Sequence, residues 1–374
     1  LIKLIYFLLS FSLLSSQGSY NLYSPYLELP TIGSGETMNF GFSLYANMPD
    51  SDGNNDGILE DYYSVSINDI TDIAWHSSNY NSDDGANFWC ADEEISGYLD
   101  SWIQYLDTPS ILVGSGGELS SRIYYAIEDA TGPFEVDGSC TDGWDAINIR
   151  ISSDGGSTWA LLDDSSHPYD FDCGYGWIYN NDKYETSGSL NHLAKGWGGS
   201  SNGWFNFTAD LSQYSGQEII VRFAFGSDPA YCTADDGYGI PVPSLTGLQI
   251  DDIRVEDETS VLLFFDSGDD MSKMIPNGAI WVDQFYDYGS CLAEPPRPGC
   301  NEWEEYLPGA PFNEGANVLL NISDFAEKTV QFRIQSRYDD NHDGGQGGGL
   351  FIDDFRIYTL YSAVYYIPTN LNAD

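Results

Sequence analysis

Basic residues are scarce in this 374-residue chain: 13 lysines and arginines stand against 58 aspartates and glutamates, a formal net charge of −45. So negative a protein repels phosphate backbones and anionic headgroups, which excludes nucleic acid and acidic membrane surfaces as partners. Histidine is rarer still. His76, His167, His192 and His342 stand far apart, and none has the neighbours of an H-E-x-x-H zinc-protease helix. The six cysteines form no C-x-x-C, which argues against zinc ribbons and thioredoxin chemistry. After residue 14 no apolar run approaches the ~18 residues that cross a bilayer, so no direct membrane span is expected. A helical stripe is missing too; "DEEISGYLDSWIQYL" comes nearest and is interrupted by a glycine.

What is present is apolar enough to fold. Hydrophobic residues make up 42% and aromatics 15%, so the acid excess is not the signature of a disordered chain. The acids nevertheless repel one another, and bound cations would relieve that strain. Residues 1–18 hold one lysine, an apolar run from Leu4 to Leu14 and then small residues, the layout of a secretory signal peptide. The expected location is therefore extracellular or on a cell surface. Cys90, Cys140, Cys173, Cys232, Cys291 and Cys300 suit such an oxidising setting, and the short loop between Cys291 and Cys300 makes these two the first pair expected to close.

A repeat organises the chain. "GLQIDDIRV" (247–255) matches "GLFIDDFRI" (349–357), and "DLSQYSGQEIIVRF" (210–223) runs parallel to "NISDFAEKTVQFRI" (321–334). In the front halves, "YLELPTI" (26–32) answers "YLDTPSI" (105–111). The interval from Tyr26 to Asp353 exceeds that from Tyr105 to Asp251 by about one whole copy. This predicts one sandwich inserted into another: an outer one in two parts, 19–75 and 259–362, around an inner one, 76–258. Short alternating runs such as "INIRIS" and "IIVRFAF", bounded by Gly, Asp, Asn and Pro, give the fold class as all-β, with two jelly-roll sandwiches.

"ANFWCADEEISGYLDSWIQYLDTPSI", "INIRISSDGGSTW" and "GLQIDDIRV" together resemble the jelly-roll domains that follow the catalytic domain in immune inhibitor A-type secreted metallopeptidases. The same pattern is similar to MAM-like, cleaved-adhesin and choice-of-anchor J modules of bacterial surface proteins. The resemblance implies a calcium-bound sandwich serving adhesion, substrate docking or support of neighbouring domains, with the Ile-Asp-Asp strand beside a structural calcium. Residues 363–374 look like a linker, so further domains of the same chain are expected downstream.

Calcium takes six to eight hard oxygens, and carboxylate-rich loops supply them. "DSDGNNDGILED" offers Asp50, Asp52, Asn54, Asp56, Glu60 and Asp61, with glycines that let the backbone fold back. It opens like an EF-hand loop but has Tyr63 at the twelfth position from Asp52, so an Asp-rich hairpin loop is expected instead. A second candidate joins Asp339, Asp340 and Asp343 to Asp353 and Asp354 in the outer copy. Its inner counterpart joins Asp228, Asp235 and Asp236 to Asp251 and Asp252. The competing role for the paired acids is to cap strand turns or to bond a buried arginine such as Arg222 or Arg333.

Enzyme motifs are weak. "GSSNG" (199–203) matches G-x-S-x-G but lacks the strand before and helix after that make a nucleophile elbow. Trp177, Tyr179, Trp197, Trp204 and Tyr238 fall in Gly/Asn-rich stretches, where exposed rings could stack on a sugar, although such rings more often fill sandwich cores and cover loop bases. The expectation is a non-catalytic, secreted or cell-surface calcium-binding module for adhesion or display, meeting a cell-surface glycan or protein. The alternatives are a carbohydrate-binding module and an accessory domain of a secreted hydrolase.

Overall fold

The computed structural model describes residues 18–47, 62–82, 85–129, 142–174, 176–177, 192–228, 231–288, 304–305, 320–338 and 348–361. The acidic loop with Asp50, Asp52, Asn54, Asp56, Glu60 and Asp61 lies outside them. So do Asp339, Asp340, Asp343, Tyr179, Cys291, Cys300 and the segments 1–17 and 362–374.

The protein is all-β, in antiparallel sheets stacked as sandwich-like layers. One sheet orders Gly18–Tyr23, Thr329–Tyr338, Tyr62–Asp69 and Val282–Tyr288. Facing it is a sheet built on the long strand Glu36–Asn47, which pairs with Glu304–Glu305, Leu320–Asn321 and Gly349–Tyr361. Period-two patterning makes the layers possible. Met38, Phe40, Phe42, Leu44 and Ala46 all point inward from Glu36–Asn47 and meet Val65, Ile67 and Phe332 of the first sheet.

The second pair of sheets holds the larger core. One sheet orders Ala160–Leu161, Ala146–Ser152, Glu218–Gly226, Trp102–Asp107 and Ile275–Ile280. The other orders Phe205–Asp210, Glu118–Ala126, Gly247–Glu256, Asn87–Cys90 and Trp75–Ser78, with Leu262–Asp266 beside Gly247–Glu256. Ile147, Ile149, Ile151, Val221 and Phe223 pack from one side against Leu119, Ile123, Leu248 and Ile250 from the other. Burying some 30 such side chains at ~1.5–3 kcal/mol each is what offsets the entropy of ordering the chain. Cys90 and Cys232 sit in this core as free thiols, and burial pushes the Cys232 thiol up to about 12.

The chain therefore runs through the first pair of sheets, crosses to the second, and returns at Val282. Strands Leu262–Asp266 and Ile275–Ile280 pair within the second set, although the repeat pattern ends the inner sandwich at 258. Pairing, which no short motif encodes, carries these strands there.

Both copies of the repeat share two local devices. After the first aspartate of Ile-Asp-Asp the register shifts by one residue, between Asp251 and Arg254 and again between Asp353 and Arg356. The doublet thus marks a β-bulge, and Asp252 adopts φ +48 within it. Ahead of each bulged strand lies a 3₁₀ turn, Ser212–Tyr214 or Ser323–Phe325, whose first N–H is bonded by the side chain two residues before it. Asp210 Oδ1 accepts the Ser212 N–H at 2.9 Å, and Asn321 Oδ1 accepts the Ser323 N–H at 3.0 Å. Among the described residues no helix is long and apolar enough to cross a membrane.

Candidate metal centre

Three strands of the second pair of sheets reach an acid at the same end of the sandwich. Glu128 follows Glu118–Ala126, Asp145 precedes Ala146–Ser152, and Asp228 follows Glu218–Gly226. Because Ala146 pairs with Gly226, the last two acids are brought side by side by the ladder itself. Asp145 Oδ1 accepts the Asp228 N–H at 2.9 Å. Its other oxygen accepts the Tyr98 hydroxyl, which in turn accepts the Glu128 N–H at 3.0 Å. Ser101 N–H donates to the Asp228 carbonyl at 2.8 Å, so the 98–101 turn closes over the group.

Glu128, Asp145 and Asp228 each offer a carboxylate oxygen within 4.8 Å of the others, and they are the one such group of three among the described residues. Two oxygens on opposite sides of one calcium, at ~2.4 Å each, stand about that far apart. Asp145 is wholly buried and Asp228 is 6% exposed. Glu128 Oε2 is buried with no hydrogen-bond partner. Burial pushes the Glu128 carboxyl up to about 11, and the charged neighbours acting on it, Asp228, Asp145, Asp100 and Asp129, are all acidic. Burial and then Asp228 also raise Asp145, and burial followed by Asp145 raises Tyr98. Three crowded carboxylates in such a place must either take up protons or share a cation. The donor set is all hard oxygen, without histidine or cysteine, which suits calcium and not a transition metal.

Of the inner-copy residues singled out from sequence, Asp228 alone joins this group. Asp236 caps a turn, its Oδ1 accepting the N–H groups of Tyr238 and Ile240. Asp235 accepts the Gly239 N–H in the same turn. Asp251 lies mid-strand opposite Arg122, at the bulge, and burial pushes its carboxyl up to about 6. Its neighbour Asp252 is exposed, and Asp353 is an exposed bulge residue opposite Ser43. The side chain of Asp354 lies outside the described residues. Glu128 and Asp145 were missed by pattern reading. The signal available was that "RIYYAIED", "WDAINIRIS" and "IIVRFAFGSD" each put an acid next to a strand end.

The aromatic candidates separate. Trp177 and Trp197 are core residues, at 0% and 2% exposure. Both faces of strand Ala146–Ser152 are covered, and Trp177 belongs to the outer cover: the Arg150 guanidinium lies 4.8 Å from its ring. Trp197 packs against Tyr125, Tyr169 and Phe207 in the main core. Trp204 is half-buried, with Arg122 over its ring and its indole N–H donated to the Asn81 carbonyl at 3.1 Å. Tyr238 is 91% exposed.

No family model matches the chain, and no curated protein matches it. Among solved structures, a cleaved adhesin domain of Lys-gingipain from Porphyromonas gingivalis aligns at 15% identity and a TM-score of 0.22, covering 64% of this chain and 99% of that one.

Proposed function

We propose that this protein is a non-catalytic, exported β-sandwich module, its loops tied together by calcium, that works in adhesion or display. The observation that carries the reading is the Glu128–Asp145–Asp228 group, in which one carboxylate is fully buried and another keeps an unpartnered oxygen. An ion held there would join the ends of three strands and, through Tyr98 and Ser101, the turn that precedes Trp102–Asp107. One end of the sandwich would then be presented as a rigid surface instead of a set of mutually repelling loops. The acidic loop 50–61 is a separate candidate of the same chemistry.

The test is thermal unfolding of the full chain with calcium and after chelation by EGTA. Calcium at a hundred times its dissociation constant adds about 2.7 kcal/mol, which raises Tm by roughly 5–10 °C in a domain of this size. Superimposable melting curves would sink the reading.

A further inference from the structure

The chain carries two Asn-x-Ser/Thr sequons, Asn206-Phe207-Thr208 and Asn321-Ile322-Ser323, the acceptor pattern for N-linked glycans on exported proteins. The fold treats them differently. Asn321 Oδ1 accepts the Ser323 N–H at 3.0 Å and also the Ser323 hydroxyl, whose oxygen accepts the Met38 N–H at 3.0 Å. The carboxamide and the hydroxyl of that sequon are both committed inside a tight turn.

Asn206 and Thr208 stand on Phe205–Asp210, the strand that ends its sheet among the described residues. Phe207 and Ala209 point into the core, and Asn206, Thr208 and Asp210 are exposed. Alternation sets residues 204, 206 and 208 on one outer face, each about 6.5–7 Å from the next. Trp204 joins that face by its contacts. Arg122, which pairs with Asn206, and Tyr124 both point outward from Glu118–Ala126, and they lie 5.7 Å and 5.8 Å from the Trp204 ring. The indole N–H, donated to the Asn81 carbonyl at 3.1 Å, fixes the ring, which stays only half-buried.

A fixed aromatic ring, an exposed asparagine and an exposed threonine thus follow one another along a single strand face. The face of an aromatic ring is electron-rich and attracts the weakly positive C–H groups of a pyranose. A neutral sugar meets no repulsion from a chain of net charge −45. One sugar ring on Asn206 Nδ2 is close in size to the two-residue step that separates it from Trp204.

We propose that Asn206 is the acceptor of an N-linked glycan whose first sugar stacks on Trp204. In the transfer, Asn206 Nδ2 bonds to C1 of a lipid-diphosphate-linked oligosaccharide. The C1–O bond breaks, its electron pair leaves on the diphosphate, and Nδ2 gives up a proton. Of the properties proposed above this rests on export alone, and it uses none of the carboxylates given to the ion. The experiment is expression of the full chain in secreting insect cells, followed by glycopeptide mass spectrometry and melting of the purified protein in calcium. The secreted chain is expected to carry a glycan on Asn206. It should melt about 2–4 °C above Asn206→Gln from the same cells, and in the Trp204→Leu background this difference should vanish. If Trp204→Leu is not secreted, trimming the native glycan to its first sugar with an endoglycosidase replaces it, and the difference should survive. A bare Asn206, equal melting of the native and Asn206→Gln chains, a difference that persists with Trp204→Leu, or one lost on trimming would overturn the assignment. Retention inside the cell counts against export, and a standard secretory leader in place of residues 1–18 then puts the same question to Asn206. Calcium-dependent melting of Asn206→Gln should match that of the native chain, which separates a failure here from a failure of the ion site.

Discussion

Asp145 and Asp228 repel as charges yet are joined by a backbone hydrogen bond: the Asp228 N–H donates to Asp145 Oδ1 at 2.9 Å. The fold thus enforces a proximity that electrostatics opposes, and a counter-charge converts this cost into a tie between strand ends.

Asp145→Asn keeps the shape of the side chain and removes one of the crowded charges. The calcium-dependent rise in Tm, roughly 5–10 °C in the native chain, should disappear. After EGTA the variant should melt no lower than the EGTA-treated native chain, since repulsion has been relieved. Differential scanning fluorimetry with both treatments checks this. A variant that still gains stability from calcium would place the ion elsewhere.

Acidity should separate the loaded and metal-free forms. Glu128 moves from an ordinary 4.5 to about 11, chiefly through burial and then Asp228, Asp145, Asp100 and Asp129. The metal-free fold binds that proton more tightly than the unfolded chain does. Its stabilisation is complete below about pH 4.5 and drains away as pH rises toward 11. With calcium bound the carboxylates stay ionised and this loss is absent. The Tm difference between calcium and EGTA samples should therefore widen from pH 5 to pH 8; a constant gap would argue against ionisable ligands at the site.

Glu327 follows the Ser323–Phe325 turn at φ +66, where the other copy of the repeat has Gly216 at φ +75. A side chain is strained in that region and glycine is not. Glu327→Gly should raise the unfolding free energy by about 0.5–1 kcal/mol in urea melts. Gly216→Ala, although no atom crowds the new methyl, should lower it by a similar amount.

Trp281 stands at the return crossing. Its backbone N–H donates to the Ser101 carbonyl at 3.1 Å, its ring lies under the Arg333 guanidinium at 4.3 Å, and Tyr23 packs 5.8 Å away. It therefore touches both pairs of sheets. Trp281→Ala should cost about 3–5 kcal/mol and split calorimetric unfolding into two transitions. A single, merely lowered transition would show that other contacts couple the sandwiches.

The fold class was readable because its signal is local. Period-two alternation in "ETMNFGFSLYAN" and "AINIRIS" is carried by neighbouring residues, and the repeat shows the same strands twice. The acidic group was readable only through Asp228, because residues 128, 145 and 228 share no motif and it takes the register that sets Ala146 opposite Gly226 to bring the last two together. Ile-Asp-Asp records a bulge in each copy, with Asp251 opposite Arg122 and apart from the Glu128 group, while the loop acids expected beside Asp353 lie outside the described residues. Trp177 and Trp197 fall in irregular segments, and sequence does not show that one carries its ring over a sheet's outer face and the other into the main core.

The terminal strands of the described chain also have a mechanical meaning. Gly18–Tyr23 lies antiparallel to Thr329–Tyr338, and Gly349–Tyr361 is zipped along Glu36–Asn47. A pull applied through those strands loads the first pair of sheets in shear and leaves the second pair off the line of force. Under tension the first pair would act as a fuse, and the half of the molecule holding the buried acids would keep its shape until that fuse had given way.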